Sequence, residues 1–144
     1  MLKIDISLGA LAGAVANGSD TDRWFVEIDK GRLFLVSADF QSDEEIERVV
    51  EMIKANAENY LPLPFLSHEE FLDEVDMYIR TLSDKPELTK HLEEAVKNKA
   101  TKDEIMQLLN HHPGQKKEFA DFYSGRVQER VAVWLDNQGI KVTG

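Results

Sequence analysis

Apolar residues recur along this chain with two different periods, and the change from one to the other organises it. From Arg23 to Asp29 the pattern alternates, with Trp24, Val26 and Ile28 on one side and Phe25, Glu27 and Asp29 on the other, which predicts a strand. Asp29-Lys30-Gly31 is turn chemistry, and Arg32-Leu33-Phe34-Leu35-Val36 returns as a second strand. That strand is apolar on both faces, so either helices enclose the hairpin or a second copy pairs with its edge. Upstream, Asp5 or Ser7 can cap a helix carrying Leu8, Leu11 and Val15, and Gly18 offers a left-handed stop.

From about Gln41 onward the period becomes helical. Three capping boxes mark helix starts: Ser42 with Glu45, Ser67 with Glu70, and Thr101 with Glu104. The first helix is expected over 43–59, with Ile46, Val49, Val50, Ile53 and Ala57 as its apolar stripe. It ends before Tyr60-Leu61-Pro62-Leu63-Pro64, where two prolines impose extended backbone. Further helices are predicted over 68–82, 85–98, 102–111 and 115–137. Pro86 lies in the first turn of the second of these, and His111-His112-Pro113-Gly114 stops the third. The last carries Phe119, Phe122, Tyr123, Val127, Val131, Trp134 and Leu135, with Gly125 inside it and Gly139 just past its end.

The reading is therefore an α+β fold, mainly α: five or six helices around one core, with an N-terminal two-stranded antiparallel hairpin. A chain of 144 residues fits one domain over 1–144, with a helix-plus-hairpin subregion at 1–40 and a helical one at 41–144. Trp24, Phe34, Val50, Ile53, Phe71, Val75, Ile79, Leu92, Phe119, Tyr123, Val131 and Trp134 are the expected core.

Charge narrows the function classes. The net charge is −10, which disfavours a nucleic-acid partner, because phosphate contacts need a basic surface. There are no cysteines, so disulfides, thiolate metal sites and a cysteine nucleophile are excluded. The Leu8–Ala16 run is too short for a membrane span, and no signal peptide is expected, so the expected location is the cytoplasm.

The most conspicuous candidate chemistry is Glu69-Glu70-Phe71-Leu72-Asp73-Glu74-Val75-Asp76. Carboxylates three and four apart share one side of a helix and could hold Mg²⁺ or Mn²⁺, which makes Glu70, Asp73, Glu74 and Asp76 a candidate metal set. On a wheel centred on Val75, Phe71, Leu72, Tyr78, Ile79 and Leu82 fall within about 60°, while the acids lie about 100° or more away. That places the acids on a solvated face, whereas metal sites of bundles face inward. Met77 shares the acid-bearing face, and with Phe34 of the hairpin it is a candidate partner contact. Arg126 and Arg130 stand four apart and could bind an anion, or neutralise acids of neighbouring helices. The four histidines lack the i, i+4 spacing of a metal pair, and no phosphate-loop, dinucleotide or nucleophile-elbow motif occurs.

The order of elements resembles that of an uncharacterised bacterial family of small cytosolic proteins. The resemblance runs nearly end to end through Trp24-Phe25-Val26-Glu27-Ile28-Asp29-Lys30-Gly31, Tyr60-Leu61-Pro62-Leu63-Pro64, Asp76-Met77-Tyr78-Ile79, Pro113, and Val133-Trp134-Leu135-Asp136-Asn137-Gln138-Gly139-Ile140. The family's glycine-flanked segment with two phenylalanines is replaced here by Asn98-Lys99-Ala100-Thr101-Lys102-Asp103-Glu104-Ile105, which marks a divergent member. The resemblance implies a fold and no activity. The function stays unknown at this level. The residues favour a non-catalytic module, without a cofactor, that binds a protein partner or itself; the alternative is a metal-dependent nucleotide-processing hydrolase using the helix carboxylates.

Overall fold

The computed structural model describes residues 2–144. Among them are β1 (Leu2–Ile4), α1 (Leu8–Asn17), β2 (Asp22–Glu27), β3 (Arg32–Ser37), α2 (Asp43–Ala55), β4 (Tyr60–Pro62), α3 (His68–Ile79), α4 (Pro86–Lys97), α5 (Lys102–Asn110), α6 (Pro113–Gln138) and β5 (Ile140–Val142). A single 3₁₀ turn, Ala57–Asn59, separates α2 from β4. The helix starts follow the sequence closely. Ser7, Ser42, Ser67 and Thr101 each cap a helix by accepting from the backbone N–H three residues on. The box is reciprocal at Ser67–Glu70 and Thr101–Glu104. At Ser42 the Glu45 carboxylate instead accepts from the serine hydroxyl. Pro113 opens α6, which begins as soon as α5 has ended.

The chain forms two compact units, Met1–Phe65 with Val127–Gly144, and Leu66–Arg126. The division falls at Phe65 and Arg126 and not near Gln41. The period changes at Gln41, but α2 packs back on β3, so it joins the hairpin.

In the first unit β2 and β3 pair antiparallel, with Phe25 opposite Phe34 and Val26 opposite Leu33. The hairpin is not two-stranded, however. β4 pairs antiparallel with the other side of β2, so the strand order is β3-β2-β4. Two prolines do force extension at 60–64, as expected, and the extended backbone then finds a partner. β1 and β5 form a separate parallel pair, Leu2 opposite Ile140. Ile4, Leu11, Val15, Val26, Leu63, Val127, Val131 and Leu135 are buried in this unit. Gly18 was expected in the left-handed region, but its φ is −76°. Its role is close approach: a Cβ there would lie 2.8 Å from the Cβ of Phe65.

The second unit is sealed by α3, α4, α5 and the start of α6, around Phe71, Val75, Tyr78, Leu88, Leu92, Ile105, Leu109 and Phe119. Aromatic rings join α3 to α6: Tyr78 meets Phe119 edge-on at 5.2 Å, and Phe71 meets Tyr123 edge-on at 5.7 Å. Of the expected core, Phe71, Val75, Ile79, Leu92, Phe119 and Val131 are buried. Trp24, Phe34, Val50, Ile53, Tyr123 and Trp134 are only half-buried. Periodicity identifies which face a residue occupies; the thickness of what covers that face is a tertiary matter.

Gly125 lies inside α6 with open space where a Cβ would go. Gly125→Ala is therefore expected to stabilise the protein by up to about 1 kcal/mol, by removing the helix penalty of glycine. Thermal denaturation of the variant checks this.

Candidate interaction surface

The acids of α3 are separated by their partners. Glu70 closes the cap, its carboxylate accepting from the Ser67 backbone N–H at 3.0 Å. Asp76 pairs with Arg80, one turn on, at 3.1 Å. Asp73 is exposed. Glu74 departs from the expected solvated face: it is 1% exposed. Both its oxygens are held by Arg126, with Nε donating at 2.6 Å and Nη2 at 3.3 Å. An angle of about 100° from the centre of a stripe is its flank. A helix with neighbours on two sides buries that flank, and a charge there needs a partner. Arg126 thus neutralises an acid of a neighbouring helix. Arg130, four residues on, is half-buried. Among the described residues no group of three or more histidine, aspartate or glutamate side chains is gathered as a metal ion would require.

The histidines are dispersed. His68 Nε2 lies 2.7 Å from the Ala100 carbonyl, tying the start of α3 to the α4–α5 link. His111 is the C-cap of α5, and His91 is exposed on α4. Met77 is exposed. Phe34 is half-buried and engaged in the sheet, stacked on Phe25 and edge-on to Tyr60, each at 5.5 Å.

The same face of the sheet carries Glu27, buried beside Tyr60 and Arg32. Arg32 Nη2 lies 2.8 Å from Glu27 Oε1, close enough for an ion pair but not aligned as a hydrogen bond. The Tyr60 hydroxyl donates to Glu27 Oε2 at 3.4 Å. Burial, then the charge of Glu27, push the Tyr60 hydroxyl above its ordinary pKa. In the second unit burial, then the hydrogen bond to Glu118, push Tyr78 up as well; its hydroxyl donates to Glu118 Oε1 at 3.0 Å. A phenol whose folded pKa lies above its unfolded value contributes stability that is complete below pH 10 and is lost as pH rises beyond it. Both tyrosines are expected to ionise later than free tyrosine in an ultraviolet absorbance titration. Tyr78→Phe is expected to flatten the alkaline fall in melting temperature.

The feature that sequence reasoning missed is the corner between β3 and α2. No residue of α2 is buried. Its apolar stripe, Ile46, Val49, Val50 and Ile53, is only half-covered, and Met52 beside it is exposed. Phe40, in the link from β3, is 78% exposed. Acids border this apolar surface. Residues 39–58 contain seven, Asp39, Asp43, Glu44, Glu45, Glu47, Glu51 and Glu58, against Arg48 and Lys54, a local charge of −5. The sequence signal was present: a helix start with three consecutive acids and a phenylalanine outside either period. Only the tertiary structure shows that, among the described residues of this unit, packing leaves the stripe half-covered.

No helix among the described residues is long and apolar enough to cross a membrane. The model of the Uncharacterised protein family (UPF0158) matches residues 2–143. A UPF0158 protein of Chlamydia trachomatis serovar D is 20% identical over 127 residues, 88% of this chain and 38% of that protein. A UPF0158 protein of Chlamydia muridarum is 23% identical over 120 residues, 83% of this chain and 36% of that protein. The chain thus spans little more than a third of the length of the curated relatives it matches. No solved structure matches it.

Proposed function

The chain belongs to the uncharacterised protein family UPF0158, and we propose that it acts as a non-catalytic binding module, in the cytoplasm, for a protein partner that presents a basic, amphipathic segment. The observation that carries this reading is the half-covered apolar stripe of α2 beside an exposed phenylalanine, bordered by acids. An apolar strip with a charged rim is the anatomy of a protein interface, where the apolar centre supplies affinity and the charges select the partner. The local charge of −5 also favours a cationic partner over a second copy, since two such patches would repel. The metal-dependent hydrolase is the weaker reading, because Glu70, Glu74 and Asp76 are each engaged by a different partner.

A display selection of random peptides on the immobilised protein tests the proposal. Enriched peptides are expected to combine net positive charge with apolar residues at helical or strand spacing. Phe40→Ser is expected to weaken the best of them about 10- to 100-fold, the equivalent of one buried phenylalanine. Enrichment of acidic peptides, or binding indifferent to Phe40→Ser, would refute it.

A further inference from the structure

The two edges of the sheet are guarded differently. β4 is three residues long and ends in Pro62, the usual means by which an edge is made unfit for pairing. β3 is six residues long, carries one charge, Arg32, and contains no proline.

The hydrogen bonds show which way its backbone points. Trp24 of β2 accepts from Leu63 N–H, and Ile28 N–H donates to the Asn59 carbonyl, so the even-numbered residues of β2 face β4. Its odd-numbered residues therefore face β3, opposite Arg32, Phe34 and Val36. Leu33, Leu35 and Ser37 are left directing their N–H and C=O groups away from the sheet.

Gln41 occupies part of that outer edge. Its Nε2 donates to the Leu35 carbonyl at 3.2 Å, and its Oε1 accepts from Ser37 N–H at 3.0 Å. Its own backbone N–H donates to the Ser37 carbonyl at 3.1 Å. One side-chain amide is doing what a residue of an added strand would do. Among the described residues no strand lies beside the N–H and C=O of Leu33 and the N–H of Leu35.

We infer that the outer edge of β3 is a strand-addition site closed by Gln41, which an extended, basic and apolar segment of the partner opens by displacing the Gln41 amide from Leu35 and Ser37. The inference rests on the binding reading above and specifies the form the bound segment takes. Backbone pairing with Leu33, Leu35 and Ser37 supplies register, and the half-buried Leu33, Phe34, Leu35 and Val36 offer apolar neighbours on both faces. The acids from Asp39 to Glu58 select for lysine or arginine at intervening positions.

The probe is a capped Lys-Val-Lys-Val-Lys-Val peptide, with Lys-Lys-Pro-Pro-Lys-Pro as a control of equal charge whose prolines interrupt the N–H row on both edges of its backbone. Titration into isotopically labelled protein is expected to shift the amide resonances of Leu33, Leu35 and Ser37 and to slow their hydrogen exchange. Gln41→Ala is expected to tighten binding about tenfold, since two hydrogen bonds no longer need displacing. Gln41→Glu, which keeps the acceptor for Ser37 and loses the donor to Leu35, is expected to fall between, and it serves if the alanine variant folds poorly. Equal binding of the proline control, absence of binding, or an affinity unmoved by either variant would overturn the inference. Shifts confined to α2 and Phe40 would overturn strand addition while leaving the binding module standing. Dimerisation of Gln41→Ala without peptide would assign the edge to a second copy and overturn the partner segment.

Discussion

Arg126→Met is expected to destabilise the protein by about 3–5 kcal/mol, the usual cost of removing one member of a buried ion pair. Glu74 is 1% exposed, and it would lose two charge-assisted hydrogen bonds, at 2.6 and 3.3 Å. The expected loss lies toward the lower end, because the Arg126 side chain is itself 35% exposed and solvent screens part of its charge. Glu74→Leu alone removes the buried acid, and the Arg126 side chain, 35% exposed, keeps its contact with water, so it is expected to cost less. The double variant Glu74→Leu with Arg126→Met is expected to recover most of the loss, since apolar groups of similar volume replace a buried pair nearly without penalty. Chemical denaturation of the four proteins closes the cycle. A double variant as unstable as Arg126→Met would show that the loss does not come from the unpaired Glu74 carboxylate, and would refute this account of the pair.

Gly31→Ala is expected to cost about 2–4 kcal/mol. Two penalties combine. The φ of Gly31 is +60°, in the left-handed region, which costs an L-residue roughly 1–2 kcal/mol. A Cβ there would also overlap the Asp5 carbonyl oxygen, and backbone cannot swing aside as a flexible side chain can. The turn joining β2 to β3 therefore lies directly against the segment after β1. The contrast with Gly125→Ala is the test: the same substitution destabilises at the turn and stabilises in α6. If both glycines tolerated alanine equally, the close contact between Asp5 and the turn would be wrong.

The local structure was legible because its causes are local. Ser7, Ser42, Ser67 and Thr101 cap helices as the sequence predicts, since a hydroxyl and a backbone N–H three residues on meet without help from the rest of the fold. The β2–β3 hairpin itself follows from the turn residues Asp29-Lys30-Gly31 and the alternation before them. The third strand was not legible: Tyr60-Leu61-Pro62 has the extended backbone its prolines demand, but what an extended segment pairs with lies far off in the sequence. The parallel pairing of β1 with β5 joins opposite ends of the chain for the same reason.

The candidate surface divides in the same way. The sequence by itself determined that α2 has an apolar stripe, that Phe34 lies in a doubly apolar strand, and that the acids of α3, Glu74 among them, lie about 100° or more from the centre of its apolar stripe. Only the tertiary structure decided that α2 is left half-covered, that Phe34 is engaged by Phe25 and Tyr60, and that Glu74 is buried against Arg126. Period assigns a residue to a side of its own element, an intrinsic property of the backbone. Exposure depends on how much of that side another element reaches, and that is settled by packing between residues distant in the chain.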